Sequence, residues 1–362
     1  MEQRKPDFFL LFLFFLILLF GFLILSSASF PYAERHYNQK FYFLQKQAIS
    51  LFLGLFFGFI FYKIKLPLLK KISPFLFIFS LFLISLVFFP NLSLKIYGAK
   101  RWILIKNFSL QPTELTKPFL ILFFAKFLSQ TKTEKNKMKN FIFLLLFLGI
   151  YSILLCLQKD GSNLFLMFSI ILILYFLSNA PLIYFLITAL AGAFGAFLLI
   201  KFFPYRLNRI LTLLNPDLDP MGIGYHFQQA LIAVGSAGIL GKGFGMSQQK
   251  SGFLPHPITD SIFAVFAEET GFLGSVFLLI LFFTFFICSV RLAFKTKDEF
   301  SKLTIFGISL WIIFQTLMNI GSMIGLFPIS GINLPFVSYG GSSLIGQIIG
   351  VCILLNVSKS LK

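Results

Sequence analysis

Hydrophobic positions in this chain come in long unbroken blocks, and charged residues gather in the short intervals between them. The blocks fall at roughly 8–25, 41–62, 72–89, 112–128, 141–157, 162–178, 182–203, 271–290, 303–325 and 335–357. Each is near the ~20 residues an α-helix needs to cross a bilayer. They predict an all-α fold, a polytopic membrane protein with about ten transmembrane helices in a single membrane domain over 1–362. The exception is the stretch 204–269, between the seventh and eighth predicted helices, which has no membrane-length apolar segment. It carries Arg206, Arg209, Asp217, Asp219, His226, Lys242, Lys250, His256, Asp260, Glu268 and Glu269. Loops this long are uncommon and usually functional.

At the N-terminus, Arg4 and Lys5 precede the first block and Ser27-Ala28-Ser29 follows it, a pattern resembling a secretory signal with its cleavage site. The block is long for a signal, and it reads as a retained first helix.

Charge gives the predicted helices a direction. Basic residues recur in alternate intervals: Arg4 and Lys5; Lys63, Lys65, Lys70 and Lys71; Lys132, Lys135, Lys137 and Lys139; Arg291, Lys295, Lys297 and Lys302; Lys359 and Lys362. By the positive-inside bias, both termini are cytoplasmic and the 204–269 loop lies outside. The opposite side nevertheless carries Lys95, Lys100, Arg101, Lys106, Lys159, Arg206, Arg209, Lys242 and Lys250. Orientation does not require these. They answer either to an anionic ligand at the outer face or to solvent and lipid headgroups.

Composition agrees with the pattern: 57% hydrophobic and 12% charged residues, with mean hydropathy +0.89. The net charge of +18 therefore concerns lipid and topology before nucleic acid. No aromatic-interleaved basic run suggests a nucleic-acid partner. Cys156, Cys288 and Cys352 lie inside apolar blocks and read as small hydrophobes, not as disulfides or metal ligands.

Several constellations could carry chemistry. In Pro255-His256-Pro257-Ile258-Thr259-Asp260, two prolines stiffen the approach to one carboxylate. Thr259 or Asp260 could simply cap a helix. However, 272–290 is long enough to span alone, so 261–269 is free to form a short interfacial or re-entrant helix holding Asp260 at a cavity mouth. There it could act as a general base, its pKa lifted by burial. Glu268 and Glu269, costly in lipid at about 2–3 kcal/mol each, must face protein or water, either supporting the site or forming structural ion pairs. Glu114 and Lys117 share a helix face and enter the membrane as an internal pair. Asp160 lies in a tight turn and could be plainly exposed. Gly340-Gly341-Ser342-Ser343, after Ser338, permits close helix packing and leaves polar atoms for a cavity. The glycines of 235–245 could cradle an anion, but no Walker motif is present and a flexible loop is the simpler reading.

These residues carry a resemblance. Gly98-Ala99-Lys100-Arg101-Trp102, Gln111–Lys117, Phe253-Leu254-Pro255 through Thr259-Asp260, Ile262–Val265 with Glu268-Glu269, and Leu334–Ser343 resemble, in order over nearly the whole chain, the SEDS family of FtsW and RodA. Ser26–Ser29 and Ser247–Lys250 look more like FtsW. The resemblance implies a ten-helix peptidoglycan glycosyltransferase of the bacterial cytoplasmic membrane. It would polymerise lipid II at the outer face during cell division, with a class B penicillin-binding protein and other divisome or elongasome membrane proteins as partners. The family's essential aspartate falls on Asp260 after Thr259, its Glu/Lys pair on Glu114 and Lys117, and its Gln-x-Asp turn on Gln158 and Asp160. Lys100, Arg101, Lys117, Arg206 and Arg209 are the candidate cations for a pyrophosphate leaving group. Glu114, Ser338, Ser342 and Ser343 are the further substrate-binding candidates, with Asp160, Thr259, Glu268 and Glu269 in support. A divalent cation is compatible with this chemistry, but no ligand cluster demands one. The chain departs from the family where Pro-Glu-x-His-Thr-Asp-Phe is usual and Pro255–Ser261 stands, and where Gln-Pro-Asp-Leu-Gly-Thr is replaced by Gln158–Asn163. The rival readings are a lipid II flippase, which would lean on Glu114, Lys117 and Asp160, a RodA-type polymerase of elongation, and a non-catalytic scaffold.

Overall fold

The computed structural model describes residues 5–90, 92–96, 99–105, 108–130 and 137–359. Arg4, Gly98, Lys106, Lys132, Lys135 and Lys362, named above, lie outside the described residues. The α-helices are α1 (Phe8–Tyr37), α2 (Tyr42–Lys63), α3 (Leu66–Ser85), α4 (Pro112–Ser129), α5 (Lys137–Leu157), α6 (Gly161–Leu177), α7 (Leu182–Phe202), α8 (Pro204–Leu214), α9 (Ile223–Gly235), α10 (Ile262–Lys295), α11 (Glu299–Met323) and α12 (Gly341–Ser358). Eight of them, α1, α2, α3, α5, α7, α10, α11 and α12, are long and apolar enough to cross a membrane. The remaining two predicted spans are also helices, but α6 is shorter and α4 carries Glu114, Lys117 and Lys126 along its length.

The ends of the elements depart from the hydrophobic blocks for identifiable reasons. Helix α1 runs on past its apolar block to Tyr37, stopping at Asn38 in the left-handed region (φ 53°). The last helix begins at Gly341, not at 335. Phe336 is itself left-handed (φ 63°), and side chains take the backbone groups a helix would have used. Gln347 Oε1 accepts from the Phe336 N–H at 2.8 Å, and Ser338 Oγ accepts from the Leu334 N–H at 2.8 Å. Hydropathy extended the span because Leu334, Phe336 and Val337 are apolar and buried, though in a loop.

Helix α10 breaks at Gly271 (φ 71°, ψ −164°), so Ile262–Thr270 forms a short helix ahead of the spanning one. Only glycine suits that conformation. A Cβ there would also lie 2.3 Å from the Gly241 nitrogen. The glycine-rich run is thus backbone packing: Phe272 N–H donates to Gly238 O at 3.0 Å and Lys242 N–H to Glu268 O at 3.0 Å.

Between α3 and α4 lies an element that hydropathy did not predict, a three-stranded antiparallel sheet of β1 (Ser93–Ile96), β2 (Ala99–Ile105) and β3 (Phe108–Leu110) in the order β1-β2-β3. Its strands are too short to register in a scan for membrane-length blocks.

In the bundle centre α11 and α12 are the most enclosed helices, with Trp311 fully buried. Glycines let α12 approach its neighbours: a Cβ on Gly346 would fall 2.4 Å from Glu114 O, and one on Gly341 2.6 Å from Ser50 Oγ. The start of α1 meets the end of α12, since Asp7 N–H donates to Ser358 Oγ at 3.2 Å.

Candidate functional site

At one end of the bundle, the start of α2, strand β2, the segment before α4, helices α8 and α9, the turn before α10 and the α11–α12 linker enclose a cavity of about 860 Å³. Its wall includes Lys46, Arg101, Arg209, Asp219, His226, His256, Thr259 and Asp260, with Trp102, Tyr225 and Tyr339 among its aromatic groups. Sequence-distant charges are gathered here, as an active site requires.

Asp260 is held at the wall by its backbone. Ser261 N–H donates to His256 O at 3.2 Å, closing the turn, and Asn319 Nδ2 donates to Asp260 O at 2.8 Å. Neither Thr259 nor Asp260 caps α10; Ser261 holds the cap position without a side-chain bond. The Asp260 side chain is therefore free to face the cavity. Burial raises its pKa above the usual carboxylate value, opposed by His256, the Thr259 hydroxyl, Arg209 and Arg101 in that order. A carboxylate so placed can accept a proton while guanidinium groups stand nearby.

Those guanidinium groups have spare donors. Arg209 Nη1 donates to Ile329 O at 3.1 Å, and Arg101 donates to the Lys159 carbonyl. The Nε of each is buried without a partner, as is Nη2 of Arg206. Arg206 instead stacks near Phe203 and bonds Tyr205 Oη at 3.0 Å, and Arg206 and Lys100 are outside the cavity wall.

Glu114 and Lys117 form a buried ion pair of 2.6 Å. Lys117 also donates to Gln315 Oε1 at 3.1 Å, which accepts from Trp311 Nε1 at 2.7 Å. This network lies beneath the cavity, not on its wall. Asp160 is buried, contrary to the exposed reading of its turn. It caps α6, with its carboxylate accepting from Asn163 Nδ2 at 2.9 Å and from Thr113 Oγ1 at 3.4 Å. The reason is tertiary: α4 covers a turn that local sequence leaves bare.

The serines of the last motif are structural neighbours of the site. Ser338 Oγ donates to Thr259 O at 2.6 Å, Ser342 Oγ accepts from Gln111 N–H at 2.9 Å, and Ser343 Oγ accepts from Gln347 Nε2 at 2.8 Å. Glu268 and Glu269 pin the loop. Glu268 pairs with Lys242 at 2.7 Å and accepts from Ser247. Glu269 pairs with Lys250 at 2.5 Å and accepts from Ser27 Oγ at 2.6 Å.

Of the charged and imidazole side chains on the wall, four escaped assignment from sequence: Lys46, Asp219, His226 and His256. Lys46 had a signal, a lone cation inside an apolar block, which marks function by default. His226 Nε2 lies 2.6 Å from Ser261 Oγ, and Ser261 Oγ is 2.9 Å from Pro255 O. Burial, then His256 and Arg209, lowers the His226 pKa to about 4. Only the fold places it there. Among the described residues, no group of three or more His, Cys, Asp or Glu gathers as metal ligands.

Fold and cavity together define a multi-pass α-helical membrane protein with a charged cleft at one end of its bundle. The model of the FtsW/RodA/SpoVE cell cycle proteins matches residues 8–362, and the chain belongs to that family. It is 38% identical over 358 residues to a Wigglesworthia glossinidia brevipalpis protein named as a probable peptidoglycan glycosyltransferase FtsW, covering 97% of this chain and 93% of that one. It is 34% identical to stage V sporulation protein E of Bacillus subtilis (strain 168), covering 99% and 98%. Among solved structures, a chain of a peptidoglycan synthase complex that coordinates polymerization and crosslinking superposes with TM-score 0.81 at 28% identity, covering 98% of each chain. The rod shape determining protein RodA of Thermus thermophilus superposes with TM-score 0.73 at 26% identity, covering 98% and 97%.

Proposed function

We propose that the chain is an inverting peptidoglycan glycosyltransferase. It polymerises lipid II at the outer face of the bacterial cytoplasmic membrane during cell division, with both termini cytoplasmic. The observation that carries the reading is Asp260 on the wall of a large cavity with Arg101 and Arg209 as its cationic neighbours. Family membership and the names of the relatives support the reaction class.

In the proposed step, the 4-hydroxyl of an acceptor GlcNAc attacks C1 of the donor MurNAc. The new O4–C1 bond forms as the bond from C1 to the pyrophosphate oxygen breaks. Asp260 takes the hydroxyl proton, and the electron pair leaves with undecaprenyl pyrophosphate. Arg101 and Arg209, both on the cavity wall, are the cations for the charge that develops there. Glu114, Lys117 and Asp160, buried below, hold the helices that shape the cavity floor. A class B penicillin-binding protein is the proposed partner for crosslinking, in keeping with the complex that the fold resembles.

The test is lipid II polymerisation by purified protein, native and Asp260→Asn, with and without that partner. Loss of a general base lowers the rate by about 10²–10⁴-fold. Glycan strands made by the variant at the native rate would remove the mechanism. Flipping of fluorescent lipid II by the native protein, lost in Glu114→Gln and kept in Asp260→Asn, would favour transport instead.

A further inference from the structure

The proposed reaction joins two lipid-linked sugars, and each carries a pyrophosphate. The cavity must therefore neutralise two anionic groups at once. Arg101 and Arg209, beside Asp260, suit the pyrophosphate that leaves. A second pyrophosphate stays attached to the acceptor, and seating it on the same guanidinium groups would bring two multiply charged anions together. The acceptor needs its own cation.

The other full cation on the wall is Lys46, near the start of α2. It is half-buried, donates to Tyr42 Oη at 2.6 Å and lies 4.4 Å from that ring's centroid. Among the described ion pairs it has no carboxylate partner. Its electrostatic neighbours are tyrosines, whereas those of Asp260 are His256, Arg209 and Arg101. A lysine ammonium facing a cavity without a counter-ion is suited to an anionic ligand.

Its position relative to Asp260 is fixed by hydrogen bonds. The next residue, Gln47, is buried, donating from Nε2 to Ser338 O at 3.2 Å and accepting from Gly340 N–H at 3.2 Å. From that loop, Ser338 Oγ donates to Thr259 O at 2.6 Å and Tyr339 N–H donates to Ile258 O at 2.9 Å. The chain of contacts ends one residue from the general base. Helix α2 and the Asp260 turn thus hold a set spacing, which is what positioning a nucleophile needs. We infer that Lys46 is the anion anchor of the acceptor, binding the pyrophosphate of the sugar-lipid whose hydroxyl attacks. This rests on the function proposed above.

Binding can be counted without catalysis. Native mass spectrometry of the purified full chain with farnesyl pyrophosphate should give two bound equivalents, falling to one in Lys46→Met and in Lys46→Gln and remaining two in Lys46→Arg. In lipid II polymerisation, Lys46→Gln should raise KM about tenfold, with Lys46→Arg restoring most of it. Two equivalents on both neutral variants, or one on the native chain, would overturn the subsite. A native chain that binds two equivalents and makes no glycan would instead count against the proposed function.

Discussion

At the scale of single residues, the site places ionisable groups where burial works on them. Asp260 has a pKa raised chiefly by burial, so its charged form is disfavoured by the fold. Two outcomes follow. Activity should rise with pH on a limb set above the ordinary carboxylate range, since the base works deprotonated; a limb at the usual Asp value would detach the rate from Asp260. Stability runs the other way. A raised acid pKa contributes stability below the unfolded value and loses it as pH climbs through the folded value. Asp260→Asn should therefore hold or raise the thermal midpoint at neutral pH while removing activity, and a large drop in midpoint would contradict the burial argument. His226 has the opposite sign. Its pKa falls from 6.5 to about 4, so its contribution is present above pH 6.5 and lost as pH falls toward 4. Thermal midpoints of native protein should decline across that window, and His226→Asn should flatten the decline.

At the scale of elements, the loop ahead of α10 is a clamped structure, held at Glu268 by Lys242 and at Glu269 by Lys250 and Ser27. Lys250 and Glu269 are both nearly inaccessible, with side chains 4% and 2% exposed. Removing one partner leaves a buried charge, at a cost of about 3–5 kcal/mol. Lys250→Met should lower the thermal midpoint markedly, and adding Glu269→Gln should recover much of it. Additive losses in the double variant would mean that the two do not act as a pair. Element identity was largely readable beforehand because membrane-length apolar blocks have few alternatives to helix. A short helix over 261–269 separate from the span was one reading of the surplus length, and the structure makes that separation at Gly271. What escaped was set by contacts across the chain. Asp160 is buried by Thr113 and Asn163, not by its own turn, and the loop at 335–340 looks helical by hydropathy because buried loops and buried helices share apolar residues. The candidate site was half legible. Asp260, Arg101 and Arg209 came from sequence, whereas Lys46, His226 and His256 join them only through the meeting of α2, α9 and the α10 turn.

At the scale of the whole molecule, the cavity lies at one end of the bundle, and the start of α1 meets the end of α12. Everything proposed about lipid-linked sugars depends on which membrane face that cavity takes. The basic residues argue for an outer cavity: Lys63, Lys65, Lys70 and Lys71 flank the α2–α3 turn, and Arg291, Lys295, Lys297 and Lys302 flank the α10–α11 turn. Arg101 and Arg209 oppose that bias, and their place on the cavity wall accounts for them as ligand-facing groups, not orientation signals. The arrangement is open to chemical labelling. Met221 lines the cavity and is 92% exposed, while Met138, 57% exposed, starts α5 beside the basic linker. With Cys156, Cys288 and Cys352 replaced by Ala, Met221→Cys should react with a membrane-impermeant maleimide in intact spheroplasts. Met138→Cys should react only after permeabilisation. Reversed labelling would put Asp260 in the cytoplasm, where a base for joining sugar–lipids at the outer face could not act, and the orientation and the reaction would fall together.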